Sequence, residues 1–186
     1  TAELFNYLYS VGPISDSKEN FNYYLNDIVH LSDNEKENNE LLKKYVLPYI
    51  TLEDNSSYEN NEFVNIFKDL KVKKGKFSLK RTTIYKYQLF PLDDISFDNA
   101  LFKEKTHAAY FAKDYSFITL FENDEIWMSL NPNEINTMNK YINNASGDVL
   151  VLGLGLAYFP FMISNKEDVK SITIIERSEE LIDLIS

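Results

Sequence analysis

The feature that most narrows the folding choices is the stretch 148–178, DVLVLGLGLAYFPFMISNKEDVKSITIIERS. Residues 149–152 form a short apolar run that enters Gly153 and Gly155 directly. Such a run suits a parallel strand covered on both faces. Glycines there permit a tight turn and a close backbone approach with no Cβ in the way. After the turn, AYFPFMIS suits a crossover helix, with Pro160 in its first turn, where a missing N–H is tolerated. SITIIE then reads as a second strand ending at Glu176, about twenty residues beyond the glycines. RSEELIDLIS opens another helix, with Ser178 as its cap. This order predicts a parallel βαβ unit whose turn and carboxylate share one crevice, and a carboxylate so placed suits ribose hydroxyls.

The dinucleotide pattern G-x-G-x-x-G/A asks for a small residue at position 158, where this chain carries Tyr158. The small residue is instead Ala157, giving G-L-G-L-A. That spacing resembles the G-x-G-x-G turn of class I S-adenosylmethionine-dependent methyltransferases. ITIIERSEELIDLI is similar to their second strand, acid and following helix. The resemblance covers about residues 147–186. It implies a Rossmann-like, doubly wound parallel domain with S-adenosylmethionine as cofactor. Gly153, Gly155 and Ala157 would form the turn beside the cofactor, and Glu176 would hold the ribose. Val151 stands two places before the first glycine, where many of these methyltransferases carry an acid. An apolar residue there is closer to spermidine synthases, which share the fold and bind decarboxylated S-adenosylmethionine. Methyl transfer to an unknown acceptor is the first expectation, and aminopropyl transfer is the alternative. A non-enzymatic binding or oligomerisation module on the same fold is another, and Tyr158 disfavours an oxidoreductase.

A doubly wound domain needs more strands than these, and the sequence stops at Ser186, inside the expected second crossover helix. The resemblance therefore implies a truncated domain, the front portion of a larger enzyme, binding its cofactor poorly by itself. Apolar surface left on the first strand would be covered by a homo-oligomer, by the N-terminal helices or by a swapped neighbour. A start at Thr1 suggests a processed or engineered beginning.

Three segments are expected: a helical region over 1–70, a β-rich region over 71–130 and the start of the nucleotide-binding domain over 131–186. In the first, Phe21, Tyr24, Leu25, Ile28, Val29 and Leu31 recur near helical spacing. Ser32 and Glu35 have capping-box spacing ahead of a second helix ending near Pro48. A third helix is expected to place Phe63, Ile66, Phe67 and Leu70 on one face. From residue 71, KVKKGKFSLKRTTIYKYQLFPL reads as strand. Its cluster Lys71, Lys73, Lys74, Lys76, Lys80 and Arg81 is either a solvated hairpin with a charged edge or an anion-binding patch. SFITLFENDEIWMSL reads as two strands around Asn123-Asp124, with Asp124 and Glu125 as turn residues. Trp127 is expected in the core, or with Met128 against an acceptor pocket. Asn131, Pro132 and Glu134 open a helix as cap, first residue and capping-box partner.

With 44% hydrophobic and 15% aromatic residues the chain can bury a core, so disorder is not expected. The formal charge of −10 argues against nucleic acid as an obligatory partner. The absence of cysteine removes disulfides and thiolate metal sites and fits a cytoplasmic location. His30 and His107 are far apart and outside metal-binding spacings, so no metal site is expected. No apolar run reaches the roughly 20 residues that span a bilayer.

Overall fold

A computed structural model describes residues 2–67, 72–93, 96–98, 103–105 and 107–185. Leu70, Lys71 and Ser186 lie outside the described residues. In chain order the protein forms α1 (Ala2–Ser10), α2 (Phe21–Ile28), α3 (Glu35–Tyr45), β1 (Ile50–Glu53), α4 (Ser56–Glu59), α5 (Glu62–Ile66), β2 (Val72–Lys74), β3 (Phe77–Ile84) and β4 (Phe90–Pro91). It continues with β5 (Ser96–Asp98), β6 (Lys103–Lys105), β7 (Ala108–Phe111), β8 (Tyr115–Glu122), β9 (Glu125–Ser129), α6 (Pro132–Asn144), β10 (Gly147–Leu152), α7 (Tyr158–Ser164), β11 (Val169–Ile175) and α8 (Glu179–Ile185). The architecture is mixed α/β, with parallel as well as antiparallel strand pairs. Among the described residues no helix is long and apolar enough to cross a membrane. Two compact units arise, Thr1–Asn55 with Thr83–Tyr115, and Ser56–Thr82 with Ser116–Ser186. Residues 71–130, read from sequence as one β-rich segment, contribute to both.

The first unit gathers α1–α3 and a three-stranded sheet of order β1-β7-β4. Its core joins Phe5, Leu8, Phe21, Leu25, Leu42 and Tyr110, with the Phe21 and Tyr110 rings stacked at 4.3 Å. β1 runs parallel to β7, so the first 70 residues are not helical throughout. The expected cap of α3 also moves: Asn34, not Ser32, accepts the Glu37 N–H at 3.0 Å. Ser32 instead accepts the Asn34 N–H and donates to Glu37. Leu31 is exposed: α2 ends at Ile28, and Val29 just after it is the last of the expected stripe to be buried. Beneath this junction Asn38 is buried. Its Oδ1 accepts the Leu31 and Ser32 N–H groups, and its Nδ2 donates to the Asn26 and Val29 carbonyls.

The second unit contains the four-stranded sheet β2-β3-β8-β9, apart from the ends of β3 and β8, and the parallel pair β10-β11. The expected helix over the stretch SYENNEFVNIFKDL is broken into α4 and α5, since Asn61 turns its side chain onto the Phe63 N–H as a new cap. Phe63 and Phe67 are buried while Ile66 is exposed. The hairpin between β8 and β9 forms around Asn123 at φ +52° and Asp124 at φ +65°, whereas Glu125, expected in the turn, begins β9 opposite Glu122. Two consecutive positive φ values mark the turn type that matches strand twist. At α6, Asn131 caps the Glu134 N–H at 2.9 Å and Pro132 opens the helix.

Two expectations about burial fail in this unit. β10 is not covered on both faces: Val149 and Val151 are half-buried, while Leu150 is 59% and Leu152 76% exposed. The cause is topological, because among the described residues β10 pairs only with β11 and α7 is the helix linking them. Trp127 is not a core residue either, being half-exposed with its ring edge-on to Phe77 at 6.5 Å. Leu120 pairs with Met128 and Phe121 with Ile126, so Trp127 has no cross-strand partner. That bulge turns its indole outward.

Candidate glycine-turn site

β10 and β11 run parallel, in register from Asp148↔Ser171 to Leu152↔Ile175. Both therefore end at the same level, and the segments that follow them meet there. The Gly153 N–H continues the ladder to the Ile175 carbonyl at 2.8 Å. The chain then turns through Gly153 at φ +89° and Gly155 at φ +53°. Ala157 follows at φ +61°, a left-handed conformation in which glycine would be unstrained. The Ala157 N–H closes the turn on the Leu154 carbonyl at 2.8 Å, and the Ala157 carbonyl accepts the Phe161 N–H at 3.0 Å to start α7.

Glu176 follows β11 at the same end. Its Oε2 accepts the Leu154 N–H at 2.8 Å, and its Oε1 accepts the Ser178 N–H at 2.9 Å. The Leu154 amide first, then that of Ser178, holds this carboxyl below its ordinary value despite an opposing effect of burial. Ser178 caps α8 through the Leu181 N–H at 3.3 Å. Gly153, Gly155, Ala157 and Glu176 are thus brought together around one turn. A carboxylate offers about four lone-pair directions, and the Leu154 and Ser178 amides, with a smaller contribution from that of Arg177, take up part of them. At Gly153 nothing lies within 4 Å of the position a Cβ would take. Open space beside the Gly153 backbone and the remaining acceptor capacity on Glu176 thus lie at the same end of the parallel pair.

Tyr158 accounts for the failure of the dinucleotide spacing. It is fully buried, its ring lies edge-on to Phe63 at 5.5 Å, and its hydroxyl accepts from Asn61 Nδ2 at 3.0 Å. A side chain this large fills the place where the dinucleotide fold brings helix and strand into close approach.

The other residues singled out from sequence lie elsewhere. Lys74 pairs with Asp183 at 2.6 Å, Lys80 with Asp124 at 2.7 Å, and Lys76 with Glu122. Arg81 donates to the Ser116 carbonyl at 2.7 Å. Acids and a carbonyl therefore meet most of the described members of the basic cluster, which favours the solvated hairpin over an anion patch. His30 is exposed, and His107 Nδ1 lies 3.0 Å from the Asp93 carboxylate. Among the described residues no group of three or more histidines and carboxylates is placed to hold a metal ion. The part of the site that sequence reasoning missed is the Leu154 amide. A backbone donor leaves no side-chain signature, and only the positive φ values on either side betray it. No protein-family model, curated protein or solved structure matches this chain.

Proposed function

We propose that this chain carries the donor-binding half-site of an S-adenosylmethionine-dependent methyltransferase, the first two strands of a Rossmann-like domain. One observation carries the reading: the glycine turn after β10 and the carboxylate after the parallel β11 are joined through Leu154 N–H and Glu176 Oε2 at 2.8 Å. Ligands of open parallel sheets bind outside the carboxyl ends of the strands, where these groups lie. In this reading Glu176 accepts the ribose hydroxyls, while Gly153 leaves room for the donor beside the backbone. Ala157 completes the turn. S-adenosylmethionine supplies the electrophilic methyl group. The residues at the turn bind and orient it, and positioning for in-line transfer is the chief contribution such a site makes.

Val151, half-buried on β10, is the residue that keeps aminopropyl transfer as a second reading, because no acid stands there. The test is ligand protection of the full-length protein, followed by product analysis with both donors. A ligand at a hundred times its Kd stabilises by about 2.7 kcal/mol. Protection by S-adenosylmethionine, lost in Glu176→Ala, is the expected result. Protection by NAD alone would overturn the reading, and turnover only with the decarboxylated donor would replace methyl by aminopropyl transfer.

A further inference from the structure

The two glycines of the turn answer to different neighbours. A Cβ at Gly153 would enter open space, whereas one at Gly155 would lie 2.6 Å from Met128 Sδ and 3.6 Å from its Cε. A thioether thus occupies the side of the backbone that a Gly155 Cβ would take, while the φ of +53° favours glycine there independently. Met128 is set by the β9 ladder, in register opposite Leu120, and the bulge that leaves Trp127 unpaired begins at the very next residue. Bulges commonly re-aim a side chain in this way next to functional sites. On the adjoining residue, the Leu154 N–H is held by Glu176. The turn thus has two props, a thioether against Gly155 and a carboxylate on Leu154.

We infer that Met128 is a positioning residue for this turn: its thioether bears on Gly155 and keeps the Leu154 N–H on Glu176. The carboxylate directions left for a ligand are thereby fixed before the ligand arrives. This deepens the methyltransferase reading and rests on it for the identity of the ligand, but the hold on the turn has a readout of its own. Truncation at Met128 removes the prop, while leucine restores nearly the same volume. Local opening of a loop is read directly by amide exchange.

The experiment compares the full-length wild-type protein with its Met128→Ala and Met128→Leu variants, following exchange at Leu154, at Ser178 and within α6. In Met128→Ala the Leu154 amide is expected to exchange about tenfold faster, with α6 unchanged and Met128→Leu within about twofold of wild type. The KM for S-adenosylmethionine should rise by a similar factor, with kcat nearly constant, as uniform loss of donor binding requires. Unchanged Leu154 exchange in Met128→Ala overturns the inference. So does equal acceleration throughout α6, which would make Met128 an ordinary packing residue. Faster Leu154 exchange in a protein that binds no S-adenosylmethionine supports the positioning role and removes the methyltransferase reading instead.

Discussion

Glutamine at position 176 gives the sharpest test of how the glycine turn is held. The carboxylate accepts the Leu154 and Ser178 amides, one on each oxygen, with a smaller contribution from the Arg177 amide, and Glu176→Gln leaves a single oxygen to serve them. A hydrogen bond to a charged group contributes about 1.5–3 kcal/mol when buried. Glu176 is only partly buried, so screening lowers the expected loss to about 1–2 kcal/mol. With a urea dependence of about 1–2 kcal/mol/M, the unfolding midpoint of this unit should fall by about 1 M. Trp127 is the single tryptophan and belongs to the same unit, so its fluorescence follows the transition of interest. The pH dependence has a definite sign. The folded carboxyl sits below its ordinary value, so the unfolded chain takes up the proton first. The stabilisation is complete above the ordinary value of 4.5 and is lost as pH falls through the lowered folded-state value. Wild type should therefore show a slope from about pH 5 downward that is reduced in Glu176→Gln. Equal slopes in the two proteins, or equal midpoints at neutral pH, would refute the argument.

Three further substitutions bear on other parts of the molecule. Gly155→Ala should cost about 2–4 kcal/mol, from the left-handed conformation and the displaced thioether together, and about 1 kcal/mol less with Met128→Ala. Gly153→Ala should cost the same in both backgrounds, a contrast that urea midpoints read by Trp127 fluorescence resolve. Asn131→Ala removes the α6 cap and should destabilise by about 1 kcal/mol, with faster amide exchange confined to the first turn of α6. Asn38→Asp keeps the acceptor for Leu31 and Ser32 but points an oxygen at the Asn26 and Val29 carbonyls. It should cost about 2–4 kcal/mol, measured by far-ultraviolet circular dichroism in urea.

Local chemistry was the most legible part of the fold. Asn131-Pro132 opened α6, Asn123-Asp124 made a hairpin turn, and Ser178 capped α8, because each depends on residues within a few positions of itself. Where two local signals competed, the sequence was ambiguous. Asn34 displaced Ser32 as a cap, and Asn61 cut an amphipathic stripe into α4 and α5 with a single side-chain hydrogen bond. The parallel β10–β11 pair was legible from the strand-turn-helix-strand order, but the β1–β7 pair was not: nothing in residues 50–53 points to a parallel partner at 108–111. The apolar run alone suggested a strand covered on both faces, since it records what a strand prefers and not how many neighbours it has, whereas apolar surface left on that strand was expected from the small number of strands. At the glycine turn the identities of Gly153, Gly155, Ala157 and Glu176 were readable, whereas the Leu154 amide and the thioether behind Gly155 emerged only from the three-dimensional arrangement.

The interleaving of the two units has a consequence for synthesis on the ribosome. The strand pair β2–β3 is translated early, yet Lys74 finds Asp183 only 109 residues later. At about 5–20 residues per second, this ribbon waits roughly 5–20 s for its last partner. During that interval its lysines have not yet met the acid on α8, and their mutual repulsion discourages nascent ribbons from adhering to one another. The same side chains that end as ion pairs in the finished protein thus serve first as a guard against premature association.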